Sequence, residues 1–167
     1  MLPLLLQLPP APLIPPELRP LTKELQRQGF QLRWEQPPKA GAYGLFESGS
    51  RTVWVHPVTF ELGIGRQTLI HEAVHAAQSC PQGKLTPLGV PAPLTPLIEH
   101  EISAILWSSY HVKDRRLEQE AFSLQGQPDG AKQLVKLLRQ RCKPLAPIAP
   151  SSKPGAKNQA PRAQAKE

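Results

Sequence analysis

His71 and His75 are spaced by one helical turn in TLIHEAVHAAQSC (68–80), and Glu72 directly follows the first of them. On a helix, positions four apart project from one face about 6 Å apart, so two imidazoles can aim a nitrogen at one metal ion. Glu72 is offset around the helix from both histidines, where its carboxylate reaches a water on the metal rather than the metal itself. Amide hydrolysis needs this arrangement: zinc lowers the pKa of its water toward about 7, and a nearby carboxylate takes the proton as the water attacks a carbonyl. The competing reading is a buried helix with two ordinary hydrogen-bonded histidines. Residues 68–77 carry no charge apart from Glu72, and an uncharged helix is a buried one in which a carboxylate and two imidazoles need partners. A metal and its water supply them. The expectation is therefore a Zn2+ site with His71 and His75 as ligands and Glu72 as general base.

TLIHEAVHAAQ also resembles the active-site helix of the zincin metallopeptidases, in which a Thr or Val often stands three residues before the first histidine, as Thr68 does, within uncharged flanks. The resemblance implies a zinc metallopeptidase acting on a protein or peptide. It also implies a strand before the helix, antiparallel to bound substrate, and RTVWVH (51–56) fits that place.

A catalytic zinc usually has three protein ligands. The metzincin extension would require a glycine at position 78 and a histidine at position 81, but the chain has Gln78 and Pro81. Gluzincins instead take a glutamate from a later helix, commonly followed three residues on by a small residue. Glu101 with Ala104 and Glu118 with Ala121 both fit, and EQEAF (118–122) resembles the ExEA signature of small bacterial gluzincin-like proteins, whose first glutamate is the ligand.

A helical wheel gives a separate check: Leu117, Ala121, Phe122 and Leu124 span an arc of roughly 160° that contains Glu118 and leaves Glu120 outside. Glu118 is preferred. Glu101, bounded by Ile98 and Ile105, stays open, with Glu120, Glu99 and His100 behind it. Gluzincins often carry an aspartate four residues after the ligand glutamate to fix the tautomer of the first histidine. That position is Phe122 here, or Ile105 for the other candidate, so another residue must fix it. Tyr110, His111, Arg115 and Arg116 could polarise a substrate carbonyl, but an exposed turn and helix start is the reading adopted. Trp34 and Trp54 read as sheet packing and His56 as a strand end.

The elements that must hold these residues follow from pattern. ELRPLTKELQRQG (17–29) reads as a helix stopped by Gly29. FQLRW (30–34), AYGLFE (42–47) and RTVWVH (51–56) read as strands, the last two joined by a turn. Helical period then runs from Gly65 to Pro81, followed by a proline-rich loop (81–96) long enough to be functional, and by helices over 97–110, 114–126 and 128–142. This is an α+β layout: a minimal zincin-like domain with a small antiparallel sheet packed against helices, one carrying HExxH.

Seventeen of the 21 prolines fall in residues 1–20, 81–96 and 144–161. They mark a proline-rich extension (1–16), a compact domain (17–143) and a disordered basic tail (144–167) that cannot bury enough apolar surface to offset its ordering entropy. The net charge of +7 reads as solubility rather than a nucleic-acid arm, because no aromatics interleave with the basic residues of the tail. The first sixteen residues lack the basic start of a signal peptide and no segment is apolar enough for a membrane span. Cys80 and Cys142 lack CxxC spacing and read as reduced thiols, with a single bridge between the two left open. A cytoplasmic protein without a membrane partner is expected, its oligomeric state open. Two alternatives remain: a catalytically inactive metal-binding or interaction module of the same fold, and a nucleic-acid-associated protease tethered by its basic tail.

Overall fold

A 3-10 turn (Pro16–Leu18) leads into α1 (Arg19–Arg27), which buries Leu21 and Leu25 and ends at Gly29, whose positive φ of 81° turns the chain into the first strand. The computed structural model describes residues 13–91, 93, 95–96, 100 and 115–142. Three short strands follow, β1 (Gln31–Arg33), β2 (Gly44–Glu47) and β3 (Thr52–Val55), then a one-turn helix α2 (Val58–Glu61) that the sequence pattern did not announce. The helices α3 (Gly65–Gln78), α4 (Arg115–Gly126) and α5 (Gly130–Arg141) complete the α+β layout. The helix expected over 97–110, and with it Glu99, Glu101, Tyr110 and His111, lies outside the described residues, as do the first twelve residues and the basic tail.

The sheet is mixed rather than antiparallel. Its order is β1-β3-β2, with β1 parallel and β2 antiparallel to the central β3. A tight turn forces β2 and β3 to run oppositely, and its last residue, Arg51, sits at a φ of 53°. That strained position is held because the Arg51 guanidinium donates to the Gln28 carbonyl at 2.8 Å and lies over the Phe30 ring. The segment 34–43, with Pro37, Pro38 and Gly41, is long enough to carry the chain from β1 to the far side of β3 without pairing on the way.

Helix α3 packs against β2, β3, α4 and α5. Enclosure on so many sides explains its apolar composition: Leu69, Ile70, Ala73, Val74, Ala76 and Ala77 are fully buried, in one cluster with Val53 and Val55 of β3 and Leu134 and Leu138 of α5. The charged groups of α3 are therefore few and each has a task. Arg66 donates to the carbonyls of Gln125, Gln127 and Pro128 at 3.0, 2.7 and 3.0 Å, satisfying acceptors that the end of α4 leaves open.

On the opposite side, Glu24 ties α1 to α5. Its carboxylate is 3% exposed and accepts from Arg27 at 2.6 Å, Gln28 at 2.8 Å and Arg139 at 2.9 Å. Burial opposes ionisation, but the bonds from Arg27, Arg139 and Gln28 outweigh it and hold the pKa at about 2. A depressed carboxylate contributes stability that is present above its unfolded pKa and lost as the pH falls through the folded one, so this contribution disappears between about pH 4.5 and about pH 2. Glu24→Gln should cost about 2 kcal/mol at pH 7 and flatten the acid limb of a stability curve between those pH values. An unchanged acid limb in urea titrations would show that Glu24 does not set it.

Cys80 and Cys142 form a disulfide, with Cα atoms 5.0 Å apart and a separation of 62 positions along the chain. The expectation of reduced thiols is corrected by topology: the ends of α3 and α5 meet, which sequence spacing does not reveal. The cytoplasmic expectation rested partly on those thiols and loses that support. No helix among the described residues is long and apolar enough to cross a membrane.

Candidate metal centre

His71 and His75 project from α3 toward Glu118 in the first turn of α4, and these three side chains form a group whose ligand atoms all lie within 4.8 Å of one another. His71 Nε2 is 3.1 Å from Glu118 Oε2, His75 Nε2 is 3.4 Å from Glu118 Oε1, and the two Nε2 atoms are 3.2 Å apart. Of the third-ligand candidates among the described residues, Glu118 is the one brought to the histidines. His100 is exposed, Glu120 faces another way, and Glu99 and Glu101 are not described.

Each imidazole is oriented by an amide in place of the aspartate that the chain lacks. His71 Nδ1 lies 2.9 Å from Gln125 Oε1, and His75 Nδ1 lies 2.8 Å from Gln78 Oε1. The orientation of Gln78 is not free. Its amide nitrogen donates to the Leu117 carbonyl and to Glu120 Oε2, both at 3.0 Å. Two acceptors fix the nitrogen end, so the oxygen end must face His75 and the proton must sit on Nδ1. Nε2 of neutral His75 then presents a lone pair to His71 Nε2 and to a carboxylate. Electron-rich atoms at such distances repel one another unless a cation lies among them.

Without a metal, a proton fills that role. Burial disfavours charge on His75, but the hydrogen bond and charge of Glu118, helped by Glu72, raise its pKa to about 9. Burial likewise disfavours ionised Glu118, yet the bonds from His71 and His75 hold its pKa well below the usual carboxylate range. The pair is thus a site already organised for positive charge. Phe122, in the place of the missing aspartate, packs its ring edge-on against His71 with centroids 4.9 Å apart.

Glu72 does not join the group of His71, His75 and Glu118. It lies against the edge strand β2, and burial raises its pKa, with the two histidines opposing the effect and Glu118 adding to it. Gly44 makes this closeness possible: a Cβ there would stand 2.7 Å from Glu72 Oε1 and from Thr68 Cγ2. The strand beside the site is therefore β2, not the expected 51–56 segment. β3 is hydrogen-bonded on both sides, whereas β2 pairs on one side only and is free on the other among the described residues.

These groups floor a cleft of about 270 Å³ walled by Leu45, Phe46, Leu85, Leu117 and Phe122. Leu85 belongs to the proline-rich loop (81–96). Arg115 and Arg116 do not line the cleft, and no arginine, lysine or hydroxyl side chain among the described residues does. His56 caps α2, its Nδ1 accepting from Val58 N at 3.1 Å, and Trp34 packs on Phe60. A larger open groove between α1 and α5 holds Arg19, Lys23, Arg27 and Arg139, but its one carboxylate, Glu24, is engaged by two of those arginines.

Two features of the site escaped the sequence reading. Gln78 and Gln125 had a signal: they stand three residues after His75 and seven after Glu118, on the faces that carry those ligands. Glu120 is 1% exposed although the helical wheel left it outside the apolar arc, because the loop after α3 covers that side of α4. Comparison of the chain with protein-family models, curated proteins and solved structures gives no match, so the geometry alone speaks for the site.

Proposed function

We propose that the chain is a zinc-dependent metallopeptidase with a minimal zincin-like fold, in which His71, His75 and Glu118 hold Zn2+ and Glu72 is the general base. The observation that carries the reading is the convergence of two Nε2 atoms, their Nδ1 atoms held by amide oxygens, on one carboxylate. Ligands 2.0–2.1 Å from a tetrahedral ion lie about 3.3 Å apart, and the three donor separations here run from 3.1 to 3.4 Å. When bound, zinc would supply Lewis acidity toward the scissile carbonyl and acidify water.

The chain's own residues do the rest. An extended peptide laid along the free edge of β2 would pass over the ligands, its backbone pairing with the unpaired groups of that strand. Leu45, Phe46, Leu85, Leu117 and Phe122 exclude water and favour an apolar side chain beside the scissile bond. Glu72, buried and with a raised pKa, accepts the proton of the attacking water and returns it to the leaving amine.

A second reading is a metal-binding module without turnover, favoured by the lack of an oxyanion donor side chain among the described residues that line the cleft. Elemental analysis tests the ligand set common to both. Glu118→Ala should lose bound zinc, and Glu101→Ala, the alternative that the sequence left open, should keep it. The reverse pattern would place the third ligand on the wrong helix.

A further inference from the structure

Glu120 is a buried carboxylate with three N–H donors and no part in binding the metal. Its Oε2 accepts from Leu88 N at 2.7 Å and Gln78 Nε2 at 3.0 Å, and its Oε1 accepts from Gly89 N at 2.8 Å. Leu88 and Gly89 belong to the loop that follows α3, and the same loop places Leu85 in the wall of the cleft. Gln78 in turn presents its oxygen to His75. A continuous hydrogen-bonded path therefore runs from the backbone of a cleft loop, through one carboxylate and one amide, to a metal ligand.

We infer that Glu120 and Gln78 are positioning residues that couple the loop 85–90 to His75, so that the loop's docked position and the metal-binding form of the histidine stabilise one another. The reason lies in donor and acceptor counting. An ionised carboxylate only accepts, and it is the one group here that can satisfy two backbone amides and the Gln78 amide together. By attracting the nitrogen end of Gln78 it turns the oxygen end to His75, which keeps the proton on Nδ1 and leaves Nε2 for the metal. If the loop withdraws, Glu120 loses two of its three donors and is freed to move from Gln78. Conversely, metal on Nε2 strengthens the Nδ1 donor and tightens the path back to the loop, as reciprocal linkage requires.

The loop has a separate attachment that serves as a control. Arg141 donates to the Pro87 carbonyl at 2.9 Å, to Thr86 Oγ1 at 2.7 Å and to the Cys80 carbonyl at 3.4 Å, and Thr86 in turn donates to the Gln78 main-chain carbonyl, so this attachment reaches the backbone of Gln78 but not the Gln78 amide, the Glu120 carboxylate or the His75 ring. Loosening the loop there should not disturb the histidine.

This inference rests on the zinc reading of the site, and the experiment separates the two. Zinc affinity is measured by chelator competition for the wild type, Glu120→Gln and Arg141→Gln. Amide hydrogen exchange at Leu88 and Gly89 is followed in each protein with and without zinc. Glu120→Gln is isosteric, but its amide must oppose at least one of the three donors. It should weaken zinc about 10- to 100-fold, speed exchange of both amides and abolish the slowing that zinc causes in the wild type. Arg141→Gln should leave zinc affinity unchanged. Equal affinity in Glu120→Gln and wild type overturns the coupling while leaving the metal site standing, and so does an equal loss in the Arg141 variant, which would mark a general loosening. Wild-type protein that takes up no zinc overturns the metallopeptidase reading and the coupling with it.

Discussion

Glu72→Gln should lose peptide hydrolysis by at least about 10²- to 10⁴-fold in kcat, the usual contribution of a positioned general base, while keeping its zinc and its fold. A structural and a catalytic glutamate give opposite stability results. A carboxylate buried for structural reasons is paired, and its removal costs stability. Glu72 is buried with its pKa raised, so its ionisation opposes folding at neutral pH. The contribution of such a group is present below the unfolded pKa, here 4.5, and is lost as the pH rises above it. Replacing it with the neutral isostere should therefore leave thermal stability unchanged or raise it, and zinc content should be unaffected because the carboxylate is not part of the His71, His75 and Glu118 group proposed to hold the metal. Cleavage of a peptide library at equal rates by wild type and variant would remove the peptidase reading and leave the metal-binding module.

The part of this site that could be read from sequence is the part fixed by helical period. Four-residue spacing places His71 and His75 together in any helix, and the wheel of the 114–126 segment turned Glu118 inward without knowledge of the fold. What depended on tertiary neighbours was misjudged or missed. The parallel pairing of β1 with β3 follows from where the 34–43 segment carries the chain, and local pattern says nothing of it. For the same reason the edge strand at the site was taken to be 51–56, when the central position of that strand in the sheet leaves the free edge to β2. Glu120 looked like a surface residue because a helical wheel counts only the helix's own apolar face. A loop more than thirty residues earlier covers it with two backbone donors. Polar residues buried by such donors are invisible to hydrophobic periodicity, which is why Gln78 and Glu120 were less legible than His71, His75 and Glu118.

Joint replacement of Cys80 and Cys142 by serine should lower unfolding free energy by about 4 kcal/mol, the chain-entropy value for a cross-link closing a loop of this length. The separation of 62 residues sets that figure, and it is a large fraction of the ~5–15 kcal/mol that holds a typical domain together. Its consequence for the site follows from what the closed loop contains. The cross-link joins the end of α3, which carries both histidines, to the end of α5, and Glu118 lies in the loop between. Unfolding the cross-linked chain keeps α3 and α4 within a limited volume, whereas the open chain must find the third ligand anew. Zinc should consequently stabilise both forms while the gap between them persists, since metal and disulfide join different points. Neither sulfur lines the cleft, so turnover well below the melting temperature should match wild type. Urea unfolding of the double variant with and without zinc checks both statements. A loss under about 1 kcal/mol would show that native-state strain or residual structure in the unfolded chain cancels the entropic gain. A loss of turnover at low temperature would instead mean that the joined ends of α3 and α5 hold His75 and Gln78 in register, making the bond part of the site's geometry as well as of its stability.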